Sequence, residues 1–137
     1  MWWIYALLSA LFAALTAVLA KVGIKGVNTD LATAIRTVVI LVIAWGLVLW
    51  RGGIDTIPTL SRQNWLFLGL SGLATGLSWL FYFKALQLGK VAQVAPVDKL
   101  SVAIAILLSV VFLGEALTWK AAIGACLIIA GTLVLIL

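Results

Sequence analysis

The sequence predicts an all-α membrane protein with five transmembrane helices, and three observations carry that prediction. Hydrophobic residues make up 66% of the 137-residue chain and charged residues 9%. Soluble domains run at roughly 45–50% and about 25%, so this chain lacks the charge to coat itself in water. The apolar residues collect into five runs, about 2–20, 31–50, 65–83, 91–113 and 119–137, each near the roughly 20 residues that cross a bilayer. Only short connectors separate the runs. A single transmembrane domain over 1–137 is therefore expected, with no room for an extramembrane catalytic domain.

The first run is read as a retained helix rather than a signal peptide, because it has no basic n-region and is continuous with the rest of the helix. Ala6, Ala10, Ala13, Ala17 and Ala20 fall on one of its faces, and small faces let helices approach closely in lipid. Lys21 and Lys25 come next, then a turn through Gly26, Asn28 and Asp30. The second helix runs to Trp50 with Arg36 inside it, flanked on its own face by Thr33 and Thr37. Beyond it lie two tight-turn glycines after Arg51, and Pro58. The third helix has a polar stripe at Ser71, Thr75, Ser78 and Tyr82, beside Gly69, Gly72 and Gly76. Trp79, Phe81, Tyr82 and Phe83 crowd one end, followed by Lys84. That end reads either as an aromatic belt with a snorkelling lysine or as a cavity lining formed by Ser78, Trp79 and Tyr82.

The fourth run is the most informative. Its uncharged stretch after Lys99, Leu100–Gly114, holds 15 residues, about 22 Å of helix, short of the roughly 30 Å hydrocarbon core. To span, the helix must draw Asp98 and Lys99 into the membrane, on the order of 6 Å from mid-depth. Pro96 lies just before them. Inside a helix it removes a backbone hydrogen bond, and broken helices beside polar residues mark transporter binding sites. Alternatively, Pro96 merely starts the helix. Adjacent residues point about 100° apart on a helix, so Asp98 and Lys99 are expected to neutralise each other badly. Arg36, about 6–7 Å off mid-depth by the same rise, is the expected partner of Asp98, which leaves Lys99 a free cation. The bland alternative is an inert ion pair with Lys99 snorkelling. Glu115, at the turn between the fourth and fifth helices, is expected to tie that connection down. Ala121, Gly124 and Gly131 make a close-packing face on the fifth helix.

Several function classes drop out. The chain has no histidine, so it lacks the usual general base and any Ser/Cys–His pair. Cys126 is its one cysteine, leaving no intrachain disulfide and no cysteine–histidine metal set. No cofactor is expected, and no enzyme activity. The net charge of +5 comes from nine basic residues scattered singly at segment ends, which is a membrane-flank pattern and not a nucleic-acid stripe.

The run Val94-Ala-Pro-Val-Asp-Lys-Leu-Ser101, then Phe112-Leu-Gly-Glu-Ala-Leu-Thr118, then Gly124 and Gly131, resembles the EamA domain of the drug/metabolite transporter superfamily. Ser78-Trp-Leu-Phe-Tyr-Phe-Lys-Ala-Leu-Gln-Leu-Gly89 is similar to the matching third-helix segment, and Ala32-Thr-Ala-Ile-Arg36 to the short, single-domain members. The resemblance spans essentially the whole chain. Most such proteins carry two five-helix halves in inverted orientation, so it implies one half of an inverted-repeat transporter. It further implies a homodimer, antiparallel if the family architecture is kept, with helices 1–4 lining a cavity and helix 5 a candidate for holding the copies together. The first helix has no glutamate, unlike small multidrug-resistance exporters, which makes export of lipophilic cations a poor fit.

The expected function is therefore a secondary carrier or facilitator for a small anionic or zwitterionic solute, in the lipid of a prokaryotic inner membrane. Arg36, Lys99, Asp98, Ser78, Trp79 and Tyr82 are its expected substrate-binding residues. Pro96, Glu115, Gly124 and Gly131 are expected to be structural. The alternative is a non-transporting subunit or stabiliser of another membrane complex. Four loop cations on one side against three on the other give a weak positive-inside bias; it slightly favours an external amino terminus and is also compatible with dual insertion.

Overall fold

The computed structural model describes all 137 residues and contains helices and turns with no strand. The helices are α1 (Trp2–Gly23), α2 (Thr29–Arg51), α3 (Arg62–Leu88), α4 (Val91–Asp98), α5 (Leu100–Leu113) and α6 (Trp119–Ile136). With α4 and α5 taken as one interrupted span, five segments are long and apolar enough to cross a membrane. The third is longer than the hydropathy indicates. It runs on past Lys84 because Leu86 is fully buried and Gln87 donates to the Val27 carbonyl at 3.1 Å.

The helix ends obey local chemistry. Asn28 caps α2, its side-chain oxygen accepting from the Asp30 and Leu31 amides at 2.8 and 3.2 Å. Ser61 accepts from the Asn64 amide at the start of α3, and Thr118 from the Ala121 amide at the start of α6. Gly52 and Gly114 close α2 and α5 at φ +74° and +67°, a region that costs residues with a Cβ about 1 kcal/mol or more. The connector expected to be a loop is a short 3-10 helix, Gly53–Thr59, with Pro58 inside it. Replacing Asn28 with alanine removes two amide partners and is expected to cost about 1 kcal/mol, read as a lower thermal midpoint in detergent with unchanged helix content.

Few side chains are buried: Ala17, Ala20, Ile24, Phe83, Leu86 and three threonines, Thr29, Thr33 and Thr132. Most leucines, isoleucines, valines and tryptophans of the spans stand exposed. In water that distribution would be untenable. In a bilayer it is expected, since lipid tails are as apolar as leucine and burial between helices gains little. Of the alanine face on α1, Ala17 and Ala20 are buried while Ala6, Ala10 and Ala13 are exposed.

The chain divides into two compact units, Met1–Val18 with Leu88–Leu137, and Leu19–Gln87. In the first, α6 packs against both α4 and α5. In the second, the 3-10 helix packs on the end of α2, and the Lys21 ammonium donates to the Leu86 carbonyl. Together with Gln87 on Val27, that bond ties the α1–α2 turn to the far end of α3.

Candidate functional site

In the unit Leu19–Gln87, the site is built around Arg36. Thr33 and Thr37 flank it in α2, but each spends its hydroxyl hydrogen on its own helix: Thr33 on the Thr29 carbonyl and Thr37 on the Thr33 carbonyl, both at 2.8 Å. Neither hydroxyl serves the arginine. Its guanidinium carbon instead lies 4.3 Å from the centre of the Phe83 ring and 5.4 Å from that of Trp79. Trp79 and Phe83 are four residues apart on α3, so they present one face. Tyr82 stands beside Phe83 with ring centroids 5.9 Å apart, tilted by 56°. The result is a cation against aromatic faces, an arrangement worth about 2 kcal/mol when water is excluded. One guanidinium nitrogen, Nη1, is buried and has no hydrogen-bond partner. Ser78 is exposed. Phe83 faces the arginine rather than a membrane belt, and its spacing from Trp79 is the sequence signal for that placement.

In the unit of Met1–Val18 and Leu88–Leu137, Pro96 lies within α4 rather than at its start. Two residues later the helix breaks. Lys99 sits between α4 and α5, and its amide is 3.3 Å from the Ala95 carbonyl and 3.0 Å from that of Pro96. Lys99 keeps a right-handed helical backbone at this junction (φ −71°, ψ −9°), and its ammonium reaches the Asp98 carboxylate at 3.4 Å. The expectation that Lys99 is left a free cation is thus corrected. Asp98 pairs with Lys99, its neighbour, while Arg36 faces aromatic rings. Neighbours stand about 100° apart on a helix, and the long Lys99 side chain closes that separation. In the isolated chain the Asp98 side chain is 35% exposed and that of Lys99 57%, so the pair is open on part of its surface.

Thr132 of α6, one of three buried polar side chains, donates to the Pro96 carbonyl at 3.2 Å. It thereby holds α6 to the helix break, a role the sequence reading misses. The available signal is a single hydroxyl in an apolar run, opposite a helix that a proline interrupts. Replacing Thr132 with valine keeps the shape and deletes the donor. The expected loss is about 0.6 kcal/mol and at most roughly 1.7, measured as a shift in the unfolding midpoint in mixed micelles.

Glu115 helps close the end of α5 through its backbone, not its charge. Its amide donates to the Ser109 carbonyl at 3.3 Å, next to the left-handed Gly114, while the exposed carboxylate makes no hydrogen bond or ion pair. Gly124 and Gly131 have open space where a Cβ would stand. Nothing within the chain packs closely on either glycine. No group of acidic, histidine or cysteine side chains is arranged to hold a metal ion.

Comparison with known proteins agrees with a membrane-embedded chain. It is 52% identical over 134 residues to a Sinorhizobium sp protein described as "Uncharacterized transporter in cobO 3'region", an alignment that covers 98% of this chain and 95% of that one. No solved structure matches. The model of the EamA-like transporter family matches residues 1–137. This integral membrane protein, with its five spans, its interrupted fourth crossing and its aromatic-faced arginine, belongs to the EamA-like transporter family.

Proposed function

We propose that the chain is a single-domain carrier or facilitator for a small anionic or zwitterionic solute, that it works as a homodimer, and that Arg36 is the residue that binds the solute's negative group. The observation that carries this is the state of Arg36. It lies inside a membrane span with aromatic rings as neighbours and a buried, unbonded Nη1. A charge at such depth is costly and is typically tied to a pathway. An unbonded donor of a guanidinium calls for an acceptor, and a solute carboxylate or other oxyanion is one that this charge selects. Trp79 and Tyr82 would line the same site. Ser78, exposed on α3, would contribute a hydroxyl.

The dimer is supported by what the chain leaves open. The Asp98–Lys99 pair is partly exposed at a break inside the fourth span, where lipid tails are a poor neighbour for charge. The α6 face carrying Gly124 and Gly131 has nothing packed closely on either glycine. A second copy of this chain would cover both features, and an antiparallel arrangement is the one the family's inverted halves suggest. A prokaryotic inner membrane fits the bacterial relative.

The test is reconstitution. Proteoliposomes holding the wild-type chain are given a labelled pool of small metabolites, and what accumulates is separated by charge. Accumulation of anionic or zwitterionic solutes that falls with Arg36→Gln is the expected result; uptake confined to cationic or neutral solutes would overturn the reading. For the dimer, cysteines engineered at the two membrane ends, with Cys126 replaced, should cross-link opposite ends of two copies. Cross-links only between like ends would refute the antiparallel arrangement.

A further inference from the structure

From the same arginine we infer that the Arg36 site takes one carboxylate attached to an apolar body, and discriminates against doubly charged oxyanions such as phosphate monoesters. The inference rests on the reading of Arg36 as the solute-binding residue and narrows the class of solute.

Three observations lead to it. The first is the shape of what remains free on the guanidinium. Its carbon lies 4.3 Å from the Phe83 ring centre and 5.4 Å from that of Trp79, so its neighbours are rings that accept no ordinary hydrogen bond, and its N–H edge is what would recognise a ligand. That edge is a rigid planar fork that matches a planar carboxylate with two parallel hydrogen bonds. Nη1, buried and unbonded, supplies one of those donors.

The second is the count of charge. Among the other cations of Leu19–Gln87, the Lys21 ammonium is committed to the Leu86 carbonyl. Lys84 is exposed in the last turns of α3, and Lys25, Arg51 and Arg62 lie at helix ends or turns. The hydroxyl hydrogens of Thr33 and Thr37 are spent on their own helix. Arg36 is therefore the one cation of Leu19–Gln87 set against the aromatic rings. One carboxylate cancels it and leaves the site neutral. A phosphate monoester, with about two charges above its second pKa of about 6, would leave net negative charge inside the hydrocarbon, where ionised groups are disfavoured.

The third is the surroundings. Trp79, Phe83 and the tilted Tyr82 give the site apolar walls. Such walls gain from contact with an apolar or aromatic body and gain nothing from a small hydrated ion.

The experiment is equilibrium dialysis of radiolabelled benzoate against the full chain in lipid nanodiscs at pH 8, with empty nanodiscs as the blank. Phenyl phosphate and benzamide, which share the ring and differ in charge, are the competitors. Saturable benzoate binding is expected. Phenyl phosphate should compete at least about tenfold more weakly, and benzamide not detectably. Arg36→Lys keeps the charge and loses the fork, so benzoate affinity should fall about tenfold, as expected for one charge-assisted hydrogen bond, with the circular dichroism spectrum unchanged. Equal or tighter competition by phenyl phosphate overturns the single-charge inference and leaves an anion carrier standing. Benzamide competing as well as benzoate overturns recognition of charge altogether. No benzoate binding, in a preparation whose uptake still depends on Arg36, removes the apolar carboxylate as the class while the transport reading survives.

Discussion

Replacing Arg36 with glutamine is expected to reduce solute uptake by at least about a hundredfold without reducing the amount of folded protein in the membrane. The loss of uptake comes from losing a bidentate charge-assisted pair, about 3 kcal/mol or more, where each 1.4 kcal/mol is tenfold. The intact folded level comes from the bilayer. A central arginine costs about 2.5–3.5 kcal/mol to insert, and glutamine does not carry that charge. Against this gain stands the loss of the contacts with Phe83 and Trp79, about 0.5–2 kcal/mol. Insertion should then hold level or improve while function collapses. Initial uptake rates per reconstituted molecule, set beside the thermal midpoint, separate the two. A midpoint that falls together with the rate would make Arg36 a structural anchor.

The second large effect concerns Asp98 and Lys99. Either single change, Asp98→Ala or Lys99→Ala, leaves its neighbour's charge uncompensated inside the fourth span. Each is expected to destabilise the protein by about 1–3 kcal/mol; the lower figure holds if water reaches the pair and the upper approaches the cost of a lone charge at helix centre. Changing both removes two charges together, and its cost should be far below the sum of the singles. The measurement is a double-mutant cycle on the unfolding free energy in mixed micelles. Additive costs would mean that the 3.4 Å pair contributes nothing measurable, as holds for many exposed ion pairs. A large coupling would show that the pair lies where water does not screen it.

The spans are legible in the sequence because hydropathy over some twenty residues leaves little freedom: an unsatisfied backbone group in lipid costs so much that a long apolar run must be helical. The turns are legible too, from Asn28, Gly52 and Gly114. Partner choice is not. On an ideal helix Asp98 and Lys99 point apart, and depth alone then assigns Arg36 to Asp98. The long Lys99 side chain nonetheless reaches its neighbour, a contact that helical angles alone do not foretell. Depth places a charge along the membrane normal and says nothing of which helix it faces, so it cannot assign Phe83 to Arg36. Thr132 escapes notice for a related reason. A threonine in an apolar helix usually bonds its own backbone, as Thr33 and Thr37 do. Only the carbonyl of Pro96 opposite makes Thr132 a donor to another helix.

The scarcity of buried side chains has a consequence for the protein's abundance. Eight residues are buried in the isolated chain, so little of the folded state is guarded by the chain's own interior. In the proposed homodimer, association supplies the remainder, and the balance between paired and single copies obeys mass action. Resistance to unfolding should then rise with the protein-to-lipid ratio and fall as the protein is diluted into excess lipid. Synthesis rate would become a determinant of stability, and a cell that makes only a few copies would hold much of the protein as single chains.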